Sequence, residues 1–133
     1  MTNSTGRDRI RVCLVDDHAL IRQALRDRFA REPDIEVVGE AATAQSALAL
    51  VGSVQPDVAV LDVRMDEMDG LEATRRLLAR APELRVILLT ALDESDVREE
   101  ARRAGAERVL QKSAAYDELK TAILDATTAP TSS

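Results

Sequence analysis

The chain has 133 residues and 45% hydrophobic content, so it can bury one core but is too short for two domains of ordinary size. Its formal net charge of −6 argues against direct binding of DNA or RNA, because nucleic acids attract basic surfaces. Aromatic residues make up 2% of the chain, which argues against stacking platforms for bases or flavin rings. No stretch approaches the roughly 18 apolar residues of a membrane span and no signal peptide is visible, so we expect a soluble protein of the cytoplasm.

The two ends of the chain lack the pattern of folded elements. Residues 1–8 are polar and predict a flexible lead. Residues 127–133 contain only Thr, Ala, Pro and Ser, which predicts a linker or a disordered tail. Residues 9–126 are therefore predicted to form a single domain. Its one cysteine, Cys13, lies in an apolar run and is predicted to be a buried structural thiol.

Short apolar runs alternate with segments of helical periodicity between these ends. The predicted strands, in chain order, are residues 10–15, 35–39, 58–61, 86–89 and the weaker run 109–110. Apolar stripes at helical spacing follow each run, carried by Ile21 and Leu25, Ala44 and Leu48, Leu71 and Leu78, Val97 and Ala101, and Leu119 and Ile123. Helix ends are predicted before Pro33, Pro56 and Pro82, and at a C-cap on Gly105.

Strand followed by helix, repeated five times, predicts an α/β fold. Right-handed crossovers leave few topologies for such a chain. We expect a flavodoxin-like (βα)5 domain, with a five-stranded parallel sheet of order 2-1-3-4-5 and helices on both faces. In that fold, ligands bind at the carboxyl ends of the strands, near the point where the strand order reverses.

Polar side chains follow four of the five predicted strands. Asp16 and Asp17 follow the first, Asp62 the third, Thr90 the fourth and Lys112 the fifth. Carboxylates that are packed together repel each other, and a hard cation such as Mg²⁺ relieves the repulsion. The set predicts a phosphoryl-accepting site in which Asp62 attacks phosphorus, while Mg²⁺, Lys112 and Thr90 each bind a phosphoryl oxygen.

Each of these residues has a simpler interpretation when it is taken alone. Asp16 and Asp17 are of the type that caps helices, and a lone lysine such as Lys112 is usually solvated. Thr90 alone would be a turn or capping hydroxyl. His18, the only histidine, is more typical of a surface or packing role than of a phosphoryl carrier. The functional interpretation therefore depends on the conjunction of these residues.

Five short motifs together resemble a known family. They are Val15-Asp16-Asp17-His18, Leu61-Asp62-Val63-Arg64-Met65, Met68-Asp69-Gly70-Leu71-Glu72, Thr90-Ala91 and Lys112-Ser113. They are similar to the receiver domains of two-component response regulators. The likeness is greatest to the nitrate-regulator-like subfamily, whose receivers precede a helix-turn-helix DNA-binding domain. It extends over residues 10–126.

The resemblance implies a role for each residue of the acidic set. Asp62 would accept a phosphoryl group from a sensor histidine kinase. Asp17, Asp62 and the backbone carbonyl of Arg64 would bind Mg²⁺ directly, and Asp16 would act through a metal-bound water. Lys112 would pair with the acceptor or with its phosphoryl oxygens.

The resemblance also implies how the signal leaves the domain. Thr90 would be the switch hydroxyl that moves toward the phosphoryl group. Phosphorylation would control homodimerisation or an output domain, with DNA bound only through a C-terminal domain absent from this chain. The domain would assist its own phosphorylation and dephosphorylation but would be no enzyme otherwise.

Two positions depart from the usual receiver pattern in ways that concern the switch. Asp66 stands where many receivers have Pro, which leaves that loop less constrained. Val109 stands where Tyr or Phe usually reports phosphorylation by rotating its ring. We therefore hypothesise that the backbone of the loop after Thr90 carries the signal.

Further departures lie around the last predicted strand. Arg108 and Gln111 replace a glycine and an aliphatic residue of many relatives, so Gln111 either weakens packing or marks a sheet edge. Ser113 replaces the proline that usually follows the lysine, which makes a cis peptide bond costly there and leaves the isomer open.

Other functions remain open at this point. An atypical receiver would keep the acidic pocket and signal without phosphate. A Mg²⁺-dependent phosphatase with an aspartyl-phosphate intermediate would need a second Asp two residues after Asp62, where this chain has Arg64. A flavodoxin-like cofactor carrier would need a phosphate loop where Asp16 and Asp17 would repel phosphate. A stand-alone receiver is the alternative to one that has lost its output domain.

Overall fold

The computed structural model describes residues 9–64, 69–91, 95–112 and 116–128, in which strands and helices alternate. The strands are β1 (Ile10–Val15), β2 (Ile35–Ala41), β3 (Val58–Asp62), β4 (Arg85–Thr90) and β5 (Arg108–Gln111). The helices are α1 (Ala19–Phe29), α2 (Ala44–Val54), α3 (Gly70–Arg80), α4 (Ser95–Ala104) and α5 (Tyr116–Thr128). The predicted alternation of strands and helices is confirmed.

All strand pairs are parallel, and the sheet has five strands in the order β2-β1-β3-β4-β5. The predicted flavodoxin-like topology is therefore confirmed. Most strands run one or two residues beyond the apolar runs. β2, for example, ends at Ala41, which pairs with Val15 of β1. Strand pairing uses backbone groups, so it continues through polar residues that do not reach the core.

The core consists of two apolar clusters, one on each face of the sheet, because successive side chains of a strand point to opposite faces. Cys13, Val15, Ala59, Leu61, Val86 and Leu88 pack with buried residues of α2, α3 and α4 on one face. Val12, Leu14, Val58, Val60, Ile87 and Leu89 pack with α1 and α5 on the other. Helices that cover both faces explain why β1, β3 and β4 are almost continuously apolar.

Several local predictions can be compared with the structure. Cys13 is fully buried, and this burial raises the pKa of its thiol to about 12, as expected for an inert structural cysteine. Gly105 follows α4 with φ of 105° and donates its N–H to Ala101 O, as a C-cap should. The helix before Pro56 ends through Gln55, whose φ is 51°.

The chain ends are only partly described. α5 continues to Thr128, and residues 129–133 lie outside the described part, so the linker or tail remains a prediction. The lead over residues 1–8 is likewise untested. Among the described residues, none of the helices has the length and apolar character needed to traverse a bilayer.

Candidate acidic site at the carboxyl edge of the sheet

The topology places the residues predicted for the site at one edge of the sheet. Asp62 is the last residue of β3 and Thr90 the last of β4, whereas Asp16 and Lys112 directly follow β1 and β5. The strand register pairs Asp62 with Leu89, so neighbouring strands end at similar heights. The structure therefore brings these four residues to the same edge of the sheet, and their roles there remain a prediction.

The acidic residues form a compact cluster. Asp16, Asp17, His18 and Asp62 each offer one possible ligand atom, and these atoms lie within 4.8 Å of one another. Asp16 and Asp62 are each only 4% exposed, and Asp17 is half-buried. Because buried carboxylates at this separation repel one another, the cluster needs positive charge nearby.

One oxygen of Asp17 has no hydrogen-bond donor among the residues that the structure describes. Asp17 Oδ1 is buried and accepts no hydrogen bond from any described residue. The Nδ1 atom of His18 lies 3.1 Å from it, but the imidazole forms its hydrogen bond with Asp16 Oδ1 at 2.8 Å. A buried carboxylate oxygen without a donor is costly, and a bound cation would satisfy it. The residues present therefore fit a hard divalent ion.

Lys112 supplies a positive charge to the cluster. Its Nζ donates a hydrogen bond to Asp62 Oδ2 at 2.9 Å and lies 3.5 Å from Asp16 Oδ2. Burial on its own would lower the pKa of Lys112, but the hydrogen bond to Asp62 and the charge of Asp16 outweigh it and raise this pKa. Lys112 is therefore an ammonium at neutral pH, and it contacts two of the three carboxylates in the cluster, those of Asp62 and Asp16.

The loop after β3 holds the carboxylate of Asp62 from its other side. Asp62 Oδ1 accepts the backbone N–H of Arg64 at 3.1 Å, which orients the carboxylate. This contact involves the N–H of Arg64 and not its carbonyl group, so the role of that carbonyl as a metal ligand remains a prediction. Asp66 lies outside the described residues.

Gly70 is a residue of the site to which the sequence analysis assigned no role. It donates its N–H to Val63 O at 2.5 Å. A Cβ at Gly70 would lie 2.5 Å from the carbonyl oxygen of Asp62 and 2.8 Å from Val63 Cα. Only glycine fits there without a backbone shift at the acceptor. The signal in the sequence is the pair Asp69-Gly70. Asp69 is the N-cap of α3 and accepts the N–H of Glu72, so Gly70 is the first residue of the helix, where α3 begins next to the acceptor.

The structure also bears on the helix-cap interpretation of Asp16 and Asp17. The N-cap residue of α1 is His18, whose side chain makes no capping hydrogen bond. Asp16 Oδ1 instead accepts the backbone N–H of His18 at 2.9 Å. His18 itself is largely exposed, and its hydrogen bond with Asp16 raises the pKa of the imidazole.

Arg22 is a second residue that the sequence analysis missed. Its Nη1 donates to the carbonyl oxygen of Asp16 at 2.5 Å, and its Nε donates to Glu40 Oε1 at 3.2 Å. Arg26, one turn later on α1, contacts Glu40 Oε2. The only signal in the sequence is an arginine one helical turn into the segment after the acidic pair.

A backbone hydrogen bond joins the end of β4 to the residue that follows β5. Thr90 is 6% exposed, and its carbonyl oxygen accepts the backbone N–H of Lys112 at 2.6 Å. Val109 is half-buried against the apolar cluster that α2, α3 and α4 form with the sheet, and its carbonyl oxygen accepts a hydrogen bond from Arg98 Nη1 at 3.3 Å.

Two further departures from the receiver pattern lie at the end of β5. This strand is at the edge of the sheet, as one interpretation of Gln111 predicts. Ser113 lies outside the described part of the chain, so the peptide isomer after Lys112 stays open.

Comparisons with known proteins agree with this geometry. The family model described as the response regulator receiver domain matches residues 12–124. The chain is 40% identical over 116 residues to the DNA-binding transcriptional activator DevR/DosR of Mycobacterium tuberculosis, covering 87% of this chain and 54% of that protein. It is 36% identical over 114 residues to the response regulator GacA of Pseudomonas aeruginosa, covering 86% of this chain and 53% of that one.

A solved structure gives the same result. The signal receiver domain of the putative response regulator NarL from Mycobacterium tuberculosis superimposes with a TM-score of 0.85 and 34% identity, covering 91% of this chain and 98% of that chain. The chain spans about half the length of the curated relatives that it matches. It belongs to the receiver domains of two-component response regulators.

Proposed function

We propose that this receiver accepts a phosphoryl group on Asp62, from the phosphohistidine of a sensor kinase, in a site that holds Mg²⁺. The observation that carries the proposal is the hydrogen bond of 2.9 Å between Lys112 Nζ and Asp62 Oδ2, inside a cluster of buried carboxylates. The bond pairs a nucleophile with the cation that can bind a phosphoryl oxygen.

The metal ligands proposed are those that the family resemblance implies. Asp17, Asp62 and the backbone carbonyl of Arg64 would hold Mg²⁺ directly, and Asp16 would hold it through a water. Asp17 Oδ1 accepts no hydrogen bond within the described part of the chain, and this supports the assignment because a buried carboxylate oxygen needs a positive partner. When bound, Mg²⁺ supplies positive charge to the phosphoryl oxygens.

The residues of the chain would perform the transfer as follows. A carboxylate oxygen of Asp62 forms a bond to phosphorus, while the bond from phosphorus to the imidazole nitrogen of the donor breaks and its electron pair stays on that nitrogen. Lys112 exchanges its hydrogen bond with Asp62 for one with a phosphoryl oxygen. Before the transfer, the hydrogen bond to Asp62 and the charge of Asp16 raise the pKa of Lys112, so the lysine is charged when the donor binds. The hydroxyl of Thr90, at the end of β4, would bind another phosphoryl oxygen.

The output of the switch is proposed at the level of the longer relatives. The relative from Mycobacterium tuberculosis is named a DNA-binding transcriptional activator, and this chain spans 54% of it. DNA binding would therefore belong to a C-terminal output domain, and phosphorylation would control that domain or a homodimer. A cytoplasmic location is part of the same proposal, because the protein would meet its kinase partner there. Phosphatase activity on another substrate is not part of the proposal, because exposed Arg64 stands two residues after Asp62, where an aspartyl-phosphate phosphatase would need a second Asp.

The test is the mass of the intact protein after incubation with Mg²⁺ and acetyl phosphate. We expect an adduct of one phosphoryl group on the parent protein, which EDTA prevents and Asp62→Asn abolishes. Asp125→Asn is the matched control, because Asp125 is an exposed acid on α5 that pairs only with Arg108 among the described residues. It should be phosphorylated like the parent. No adduct on a folded parent with several donors would contradict the proposal and favour an atypical receiver.

A further inference from the structure

We infer that Arg22 is a positioning residue for the metal-binding loop, fixing the peptide between Asp16 and Asp17 so that both carboxylates face the site. This inference rests on the proposed function, since it concerns the Mg²⁺ site of the receiver. It adds a residue on α1 that contacts the backbone of the loop and is not one of the proposed metal ligands or phosphoryl-binding residues.

The contact that carries the inference is made to the backbone. Arg22 Nη1 donates to the carbonyl oxygen of Asp16 at 2.5 Å. A peptide group is planar, so holding this oxygen also holds the nitrogen and the Cα of Asp17. The orientation of Asp17, the proposed metal ligand, thereby depends on a side chain of α1 that lies six residues after Asp16.

Arg22 is itself held on its other side. Its Nε donates to Glu40 Oε1 at 3.2 Å, and Glu40 also contacts Arg26. Glu40 lies on β2, whose next residue, Ala41, accepts the backbone N–H of Asp16 at 3.1 Å. The guanidinium therefore bridges α1, the end of β1 and the neighbouring strand. The side chains of Arg22 and Glu40 are 18% and 24% exposed, so water competes only partly for these contacts.

The other hydrogen bonds described for this loop hold Asp16 and His18, through Ala41 O and Asp16 Oδ1, and not Asp17. Only residues 16–18 connect β1 to α1, and the N-cap side chain of α1 makes no capping hydrogen bond. One oxygen of Asp17 accepts no hydrogen bond from the described residues. Partners that orient metal ligands in this way commonly contribute about tenfold to a hundredfold to metal affinity. The positive charge of Arg22 also opposes the repulsion among the carboxylates.

The experiment measures the Mg²⁺ dissociation constant by calorimetry, together with the thermal unfolding midpoint of the metal-free protein. Arg22→Ala should raise Kd for Mg²⁺ about tenfold to a hundredfold. Arg22→Lys should recover part of the loss, because an ammonium can still donate to the Asp16 carbonyl but cannot also form the fork to Glu40. The matched control is Arg26→Ala, which removes a contact to the same Glu40 and none to Asp16. Its Kd should equal that of the parent.

The outcomes separate this inference from its alternatives. A purely structural role would lower the unfolding midpoint of Arg22→Ala and leave Kd unchanged, and that result would overturn the inference. Should Arg22→Ala not fold, Arg22→Lys and Glu40→Gln carry the test, since both should raise Kd and unchanged values would overturn it. A parent protein that binds no Mg²⁺ would contradict the proposed function itself, and this inference with it.

Discussion

Lys112 donates its backbone N–H to the carbonyl oxygen of Thr90 at 2.6 Å, while its ammonium donates to Asp62 at 2.9 Å. The two residues proposed to bind phosphoryl oxygens are thus joined through the main chain. A movement at the end of β4 would reach the lysine through this bond without any aromatic side chain. This link supports a switch that operates through backbone movement in a receiver that has Val109 at the usual aromatic position.

The first prediction concerns the charge balance of the apo site. Lys112→Met removes the ammonium that faces Asp62 and Asp16, so the remaining carboxylates repel each other. We expect the free energy of unfolding without Mg²⁺ to fall by about 1.5 to 3 kcal/mol, the usual worth of a hydrogen bond between charged groups. Urea denaturation measures it. Added Mg²⁺ should restore part of the loss, because the ion replaces the missing charge.

Lys120→Met is the matched control for this prediction. Lys120 on α5 pairs at 2.8 Å with Glu32, which lies between α1 and β2, away from the acidic cluster. Its loss should lower stability by less, and Mg²⁺ should not restore it. A Lys112 variant that Mg²⁺ stabilises no more than the parent would contradict the charge-balance argument.

The fold and the site differ in how far the sequence predicts them. The strands follow from periodicity along the chain, and the strand order follows from the few topologies that right-handed crossovers allow. The positions of Asp62, Thr90 and Lys112 then follow from one rule about strand ends. Arg22 could not be assigned in this way, because its contact with Asp16 exists only once α1 lies against the end of β2. Gly70 likewise depends on how closely the start of α3 approaches β3.

The second prediction is an alkaline transition that belongs to Tyr116. Burial and the hydrogen bond to Glu32 at 3.1 Å raise its pKa from the ordinary 10.0 to about 12. The folded protein keeps the phenolic proton where the unfolded chain loses it. The stability due to this group is therefore complete below about pH 10 and is lost as the pH rises toward about 12. Tyr116 is the only tyrosine, so ultraviolet absorbance of tyrosinate reports its titration directly.

Tyr116→Phe isolates this effect. It should cost about 1 kcal/mol at neutral pH, because the hydrogen bond to Glu32 is lost. Its stability should then fall less steeply than that of the parent above about pH 10. Lysines that titrate in the same range are present in both proteins, so the difference between the two curves belongs to the phenol. A tyrosinate midpoint near 10.0 in the folded parent would refute the assignment.

The third prediction tests the close approach of α3 to the acceptor. Gly70→Ala places a Cβ 2.5 Å from the carbonyl oxygen of Asp62, so the backbone at the acceptor must move. We expect a loss of about 1 to 3 kcal/mol in the free energy of unfolding, as for other overpacked sites. Phosphorylation by acetyl phosphate should also slow, because the carboxylate is displaced. Intact mass over time measures the rate.

Gly52→Ala is the matched control on α2. The nearest atom to its added Cβ is Arg80 Nη1 at 4.0 Å, which is open space by comparison. Removing a helical glycine at an uncrowded position should raise stability by about 0.5 to 1 kcal/mol and leave the phosphorylation rate unchanged. Equal behaviour of the two alanine variants would show that the approach at Gly70 imposes no constraint.

The fourth prediction addresses the route of the signal. Thr90→Val keeps the shape of a side chain that is 6% exposed and removes its hydroxyl. We expect the variant to accept a phosphoryl group, because Asp62 and Lys112 are intact, but to lose the response that follows. In the parent, beryllofluoride and Mg²⁺ should shift the NMR amide signals of Thr90, Ala91 and Lys112, since the bond from Lys112 N–H to Thr90 O couples them. In the variant these shifts should shrink while beryllofluoride still binds. A parent in which these three amides do not respond would exclude backbone movement after Thr90 as the route, and the signal would have to leave through another element.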